Sequence, residues 1–336
     1  MKYKYRYQER YKDKIIDVKA HTRAEMMEKV QKKKMQIDRQ TVDADIRLHD
    51  FCMMYLDTYK RNTVSNYWYK ELIKISDKLV EYVGNKPVGK IKPIEVQSFL
   101  NSCSSMSQNS CRKIKIAIQQ IFNEAEMNGA TEYKFNLITP KGAEPTQGKS
   151  LTRSEQDVLE RVIQGHKGEI FISLILHCGL RPAEASALIW KDVDFEKNII
   201  TVNKAIKKDG KIGPPKTPSS VRDVPIPIKI LPLLKKSRKS PFSPVCDHNG
   251  GYYKTCTRFS VWHDVKSRVE QELGRPLDCR LYDLRHTYCT NLERAGVPIN
   301  IASRLMGHSD ISVTSKIYTH ASDEAIEIAR RCINSF

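Results

Sequence analysis

Four basic or imidazole side chains and one tyrosine stand out in the second half of the chain as types that can handle a phosphate ester. Arg181 lies in CGLRPAEASALIW, between Gly179, placed to end one helix, and Pro182, placed to open the next. That junction sets a guanidinium close to helix-terminal N–H groups, a good place for phosphate oxygens. Lys216 lies in GPPKTPSSVRDVPIP, just before a strand, and Arg285 in LYDLRHTYCT, within a helix that also presents Tyr282 and His286. The i,i+3 spacing puts Tyr282 and Arg285 on one helical face. His308 follows Gly307 in LMGHSD, just past a helix end, and Tyr318 lies in TSKIYTH. Taken singly, each has a plain structural reading: a helix-end arginine, a solvated turn lysine, a core tyrosine.

The elements that would hold these residues follow from periodicity. A domain starts at Leu151-Thr152, with Thr152 or Ser154 capping a helix toward Ile163. Helices are expected near 170–177 and 183–189, the second ending in Trp190. Strands are expected at 199–202 and 221–226, separated by a basic loop at 207–217, with mostly helix from Phe259 onward. Ahead of this, residues 41–127 read as a four- or five-helix bundle. Phe51, Met54, Tyr55 and Tyr59 recur at helical spacing, and Asn62-Thr63 resembles a cap before a helix over 64–83. Pro93 opens a helix over 94–102, and 109–126 carries Ile114, Ile118, Ile121 and Phe122 on one side. Arg112, Lys115 and Gln119 form a polar stripe beside that side, either a DNA-facing surface or an ordinary solvated face. Between the two regions, TPKGAEPTQGKS has linker composition. At the start, alternating stretches at 3–7 and 14–19 read as a hairpin, followed by an amphipathic helix over 22–36.

Composition narrows the class. A chain of 336 residues suits two domains plus a small element, and 40% hydrophobic residues can fill real cores. No apolar run reaches the roughly 18 residues of a membrane span, and MKYKYRYQERYKDK has no apolar signal region. The nine cysteines are scattered, odd in number and without CxxC spacing, which points to free thiols in a reducing cytosol. Cys246 and Cys256 flank His248 without an obvious fourth ligand, so no metal site is expected. The net charge of +18 favours a polyanion partner, and residues 1–40 hold 13 Lys and Arg against 6 Asp and Glu.

The motifs GLRPAEASALIW, KTPSSVR, YDLRHTYCT and MGHSDISVTSKIYTH stand in an order and at separations that resemble the tyrosine recombinase family of phage and mobile-element integrases. The likeness extends over residues 22–336. It implies a two-domain clamp, with an α-helical core-binding domain at 38–130 and a linker at 131–150. A mainly helical, mixed α/β catalytic domain with a small antiparallel sheet follows at 151–336. Residues 1–37 are similar to a shortened arm-binding element, here a hairpin plus a helix. By the same resemblance, Arg181 and Arg285 clamp the scissile phosphate, and Lys216 protonates the leaving 5′ oxygen. His308 bonds a phosphate oxygen, Tyr318 is the nucleophile, Glu184 orients the arginines and His286 is supportive. The family usually has histidine where this chain has Tyr282. A phenol near pKa 10 is a poor base at neutrality, so activation of Tyr318 would rest on the cationic pocket.

These types suit the implied reaction. Attack on a phosphodiester builds negative charge that two guanidiniums meet with paired donors. A tyrosine so activated forms a 3′-phosphotyrosyl bond, which keeps the energy of the cut linkage for rejoining. No metal or other cofactor is required. The expected partners are duplex DNA attachment sites and further copies of the chain, as a tetramer on paired sites. An excisionase or a host DNA-bending protein is also admitted as a partner, and no membrane is involved. The segment after Tyr318, with Ala325, Ile326, Ile328, Ala329 and Cys332 at helical spacing, reads either as self-packing or as a connector to a neighbouring subunit. A type IB topoisomerase would use similar chemistry but would relax supercoils without paired sites. A non-catalytic DNA-binding protein would form no covalent adduct.

Overall fold

Three apolar clusters organise the chain in a computed structural model that describes residues 3–12, 14–39, 45–144, 148–215, 217–318 and 330. Lys216 and the segment beyond Tyr318, with its connector reading, lie outside the described residues, Arg330 excepted. Met1–Thr146 and Gln147–Phe336 form two units. The architecture is two-domain, with a helical N-terminal region followed by a mixed α/β domain bearing small antiparallel sheets.

The first unit opens with the hairpin β1 (Tyr5–Tyr11) and β2 (Lys14–Ala20), longer than the alternating stretches suggest, paired from Tyr5↔Ala20 to Tyr11↔Lys14. Helix α1 (Arg23–Arg39) packs on it, and Ile16, Val18, Ala20, Met26 and Val30 make a small separate core. The larger core lies among α2 (Leu48–Tyr55), α3 (Asn66–Val83), α4 (Pro93–Ser102) and α5 (Gln108–Met127). The cap of α3 is Ser65, which accepts from the Trp68 N–H, rather than Asn62-Thr63. The Thr63 hydroxyl instead donates to the Tyr59 carbonyl at 2.6 Å, closing the π turn Leu56–Lys60 that extends α2.

The stretch after α5 is irregular yet held tightly. Phe135 and Leu137 are buried in the helical core, and Phe135 stacks on Phe122 at 4.1 Å. Gln119 takes the Leu137 N–H at 3.0 Å and donates to the Phe135 carbonyl; Gln97 pairs both ways with Ile138 at 2.9 and 3.0 Å. The polar stripe of α5 therefore works, at Gln119, as a clasp on this strap, supplying bonds that irregular buried backbone must find somewhere. Composition alone reads the same residues as linker because it counts breakers and not partners.

In the second unit, α6 (Arg153–Ile163) starts at Thr152 through a capping box with Glu155, and α7 (Glu169–Cys178) forms the apolar centre. The helix expected over 183–189 is one turn, α8 (Pro182–Ala185), followed by a 3-10 turn at Trp190–Asp192. β3 (Val193–Asp194), β4 (Ile199–Val202) and β7 (Arg222–Pro225) form a sheet in the order β3-β4-β7. The basic loop carries its own small hairpin, β5 (Ala205–Ile206) with β6 (Ile212–Gly213). Next come α9 (Leu231–Ser237), the short pair β8 (Asp247–His248) and β9 (Gly251–Tyr252), and α10 (Thr255–Leu273). The chain then folds into α11 (Asp283–Arg294), α12 (Ile299–Met306) and α13 (Ile311–Tyr318), with α13 packed on α11 and α12. Among the described residues no helix is long and apolar enough to cross a membrane, and no group of three His, Cys, Asp or Glu is placed to hold a metal ion.

Candidate active site

The site is built on the last turn of α12. A helix leaves its final carbonyls without intrahelical partners, and its C-terminal end carries partial negative charge. Here three consecutive carbonyls each take a different arginine. Leu305 accepts from Arg222 Nε at 2.6 Å, Met306 from Arg285 Nη2, and Gly307 from Arg181 Nη2 at 2.8 Å. Gly307, at φ 64°, ends the helix in the left-handed region, and a Cβ there would come within 2.9 Å of Arg222. The turn that presents His308 thus needs glycine for its backbone and for the arginine beside it.

Arg181 arrives from a second left-handed turn. Gly179, at φ 63°, ends α7 against the ring of Tyr288, which a Cβ would strike at 2.2 Å. Arg181 is the N-cap residue of α8, where Glu184 returns to its N–H at 2.9 Å. Glu184 also takes Arg181 Nη1 at 2.6 Å and Arg222 Nη2 at 3.0 Å, with Arg285 Nη1 at 3.9 Å. Burial works against its charge, but Arg222, by charge and hydrogen bond, and then Arg181 and Arg285 hold its carboxyl below the usual range. One carboxylate faces three guanidiniums, so the cluster keeps an excess of positive charge.

The two arginines named from the sequence are not equivalent. Arg181 is partly exposed at 28%, whereas Arg285 is fully buried, with Nη1 on the Gly179 carbonyl and Nη2 on that of Met306. Arg285 Nε has no hydrogen-bond partner among the described residues. Burial, then the neighbouring charge of Arg181, lowers the Arg285 pKa to about 10, which still leaves it cationic at neutral pH. His308 is half-buried, and burial followed by the charges of Arg285, Arg181 and Arg222 pushes its imidazole down to about 4. It is therefore neutral at physiological pH, with Nδ1 2.8 Å from the Thr314 hydroxyl on α13.

Tyr282 precedes α11 as its N-cap residue and is 43% exposed, so it does not share the buried setting of Arg285. Tyr282 is the half-in residue at the helix start, one turn before Arg285 and close enough to act on its guanidinium. Its ring meets His286 edge-on at 5.5 Å, and burial lowers the His286 pKa. The loop that follows Lys216 reaches the site: Ser220 Oγ lies 3.2 Å from Arg181 Nη1 and 2.9 Å from Thr217 Oγ1. Tyr318 is the last residue of α13; its side chain lies outside the description. The structure so brings Arg181, Glu184, Arg285 and His308 together, with Tyr282 and His286 within electrostatic reach. Arg222, Ser220 and Thr314 were not singled out from the sequence. Arg222 had a signal: in strand β7 it alternates inward with Val224, which makes a buried arginine.

The profile of the phage integrase family matches residues 155–325, half of the chain, and that of the phage integrase N-terminal SAM-like domain matches 47–104. A tyrosine recombinase XerA of Pyrococcus furiosus is 30% identical over 233 residues, covering 66% of this chain and 75% of that protein. A XerC-like tyrosine recombinase of Caldanaerobacter subterraneus is 29% identical over 287 residues, covering 75% and 72%. Among solved structures, the Tn1549 transposon integrase with circular-intermediate DNA matches at TM-score 0.71 and 20% identity, over 86% of this chain and 99% of that one. A lambda integrase tetramer bound to a Holliday junction matches at TM-score 0.62 and 14% identity, over 92% and 94%. The chain belongs to the phage integrase family. It is a site-specific tyrosine recombinase acting on duplex DNA.

Proposed function

We propose that the chain integrates or excises a phage or other mobile element, using Tyr318 as nucleophile and the arginine cluster as its phosphate site. The observation that carries this reading is the set of three arginines on the last carbonyls of α12, directly before His308. Arg181, the partly exposed member, offers donors to the nonbridging oxygens, and Arg285 and Arg222 supply charge from beneath. His308 adds one neutral N–H donor. The Tyr318 oxygen attacks phosphorus, the bond from phosphorus to the 5′ oxygen breaks, and Lys216 gives the leaving oxygen its proton. Reversal by a 5′ hydroxyl from the other duplex restores the backbone and frees the tyrosine. Tyr282 shapes the pocket edge with His286.

In this reading, residues 38–130 grip the core site, 1–37 reach flanking DNA, and 131–150 connect the grip to the catalytic domain. Most affinity comes from phosphate contacts and depends on salt. Each chain cuts one strand, so exchange between two attachment sites takes four chains. The lambda integrase tetramer on a Holliday junction supports that count by analogy. An excisionase or a host DNA-bending protein fits as an accessory partner.

The test is a nicked duplex half-site from the ends of the element, on which cleavage traps the covalent product. Tyr318→Phe is expected to bind this duplex with near-native affinity and to form no adduct. A Tyr318→Phe protein that still became covalently attached would overturn the assignment.

A further inference from the structure

We infer that Thr314 is a positioning residue for strand cleavage. Its hydroxyl donates to His308 Nδ1 and so fixes the imidazole proton on Nε2, where it can serve a phosphate oxygen. The inference rests on the reading of His308 as a phosphate donor and of Tyr318 as nucleophile.

Thr314 is fully buried in the first half of α13, and its hydroxyl lies 2.8 Å from His308 Nδ1. Among the described residues this is the only hydrogen bond that the hydroxyl makes. A helical threonine often bonds the carbonyl four residues back, here Asp310. Among the described residues the Thr314 hydroxyl makes no bond to that carbonyl. Two directions remain for the bond to His308. If Nδ1–H donated, the threonine proton would be buried without an acceptor, which is costly. If the hydroxyl donates, its proton is placed and Nδ1 is satisfied as an acceptor. The second direction wins.

The tautomer is a real choice because His308 is neutral. Burial, and then the charges of Arg285, Arg181 and Arg222, oppose a second ring proton, so the ring carries one proton on one nitrogen only. A bare Nε2 would present a lone pair to an anionic oxygen. The Thr314 bond removes that state. It also ties α13, one turn before Tyr318, to the C-terminal turn of α12 where the arginines converge. One hydrogen bond thus sets both a donor and the docking of the helix that carries the nucleophile.

The experiment uses the full chain labelled with ¹⁵N at histidine. The two-bond proton–nitrogen spectrum distinguishes the tautomers, and His308→Gln assigns the resonance by its loss. The native protein is expected to carry the proton on Nε2. Thr314→Val keeps the shape but lacks the hydroxyl. It should let the proton populate Nδ1 and slow single-turnover cleavage of the nicked half-site about tenfold or more, the scale of losing part of one donor. Thr314→Ser should restore the tautomer and return the rate to within about threefold of native, because the donor is back. A native ring protonated on Nδ1 would overturn the inference. So would a valine variant with native cleavage, or equal losses in the valine and serine variants without a change of tautomer. The spectrum is taken without DNA, so it stands apart from the Tyr318→Phe test: an adduct in that variant would remove the nucleophile reading and leave the tautomer result intact.

Discussion

The hairpin and the arginine cluster at the end of α12 each contain an arginine–carboxylate pair, and by distance alone the hairpin pair is the better one. Arg6 reaches Asp17 with two prongs, at 3.0 and 2.7 Å, while Arg222 reaches Glu184 once, at 3.0 Å. Their surroundings reverse that order. The side chains of Arg6 and Asp17 are 57% and 38% exposed, those of Arg222 and Glu184 only 3% and 2%. Water competes for the first pair and screens it, whereas the second is closed to water, which cannot take the place of a lost member. What a charged contact does for this protein is set by what surrounds it, and the two regions should respond very differently to the same kind of mutation.

The largest effect is expected at Glu184. Glu184→Ala leaves three guanidiniums facing one another beneath the site, and removal of one member of a buried ionic network costs about 3–5 kcal/mol. The catalytic unit should lose that much in urea unfolding, read by hydrogen exchange on α8, α11 and α12, while the helical unit keeps its protection. Cleavage should fall with it, because Arg181 loses the carboxylate that aims it. A Glu184→Ala protein of native stability would mean that the cluster is held by the helix carbonyls alone.

Acid should pull the same two regions apart. The Glu184 carboxyl sits below its unfolded value, so its stabilisation is complete above about pH 4.3 and is lost as pH falls through the lower folded value. His308 adds to this from higher pH. Between 6.5 and about 4 the unfolded chain takes up a proton that the folded ring refuses, so stability declines as pH drops through that window. The urea midpoint of the catalytic unit should therefore slope downward below pH 6.5, and His308→Gln should flatten the slope between 6.5 and 4. An unchanged slope in that variant would place the proton uptake elsewhere.

A neutral contact of intermediate burial should give an intermediate loss. Gln119→Ala frees the Leu137 N–H and the Phe135 carbonyl from the strap, and unmade buried hydrogen bonds cost about 1–3 kcal/mol. The helical unit alone should show it, with faster exchange over 130–143. Loss of protection in α11 or α12 would contradict the independence of the two cores.

The differences between what was legible and what was not follow the same line. Helices α4, α5 and α6 could be read because apolar spacing and opening residues are local. So could the motifs that carry Arg181, Arg285, His308 and Tyr318. Thr152 was readable for the same reason as one of two candidate caps, beside Ser154; the box with Glu155 is the structure's addition. The length of α8 was not, because Trp190 is buried through contacts made far along the chain, including the Trp190 N–H to the Ser243 carbonyl at 3.1 Å. The strap was read as linker since its bonds come from glutamines 16 to 41 residues away. Arg285 and Arg181 look alike in sequence, and only their packing tells a buried charge from a half-exposed one. Thr314 was hidden because a threonine in a helix announces nothing until the ring beside it is placed.

The smallest effect should come from the hairpin pair, and it is the sharpest check on the comparison. In Arg6→Ala, Asp17 becomes an exposed carboxylate that water can solvate, with Lys33 donating to the Asp17 carbonyl as before. The hairpin keeps its seven-residue register and its core of Ile16, Val18, Ala20, Met26 and Val30, none of which depends on the ion pair. No measurable shift in thermal midpoint is expected, and cleavage of a short core site should be native. Deleting residues 1–36 extends the test, since that core is separate from the one around Phe51 and Phe122. The truncated chain should stay folded and cleave the short core site, while its affinity for longer DNA falls and becomes less salt-dependent as basic contacts are lost. Gel-shift titrations at several salt concentrations would measure this. A folded truncation that failed on the core site would put the hairpin inside the main DNA grip, and its exposed charges would then matter for the DNA they face and not for the fold.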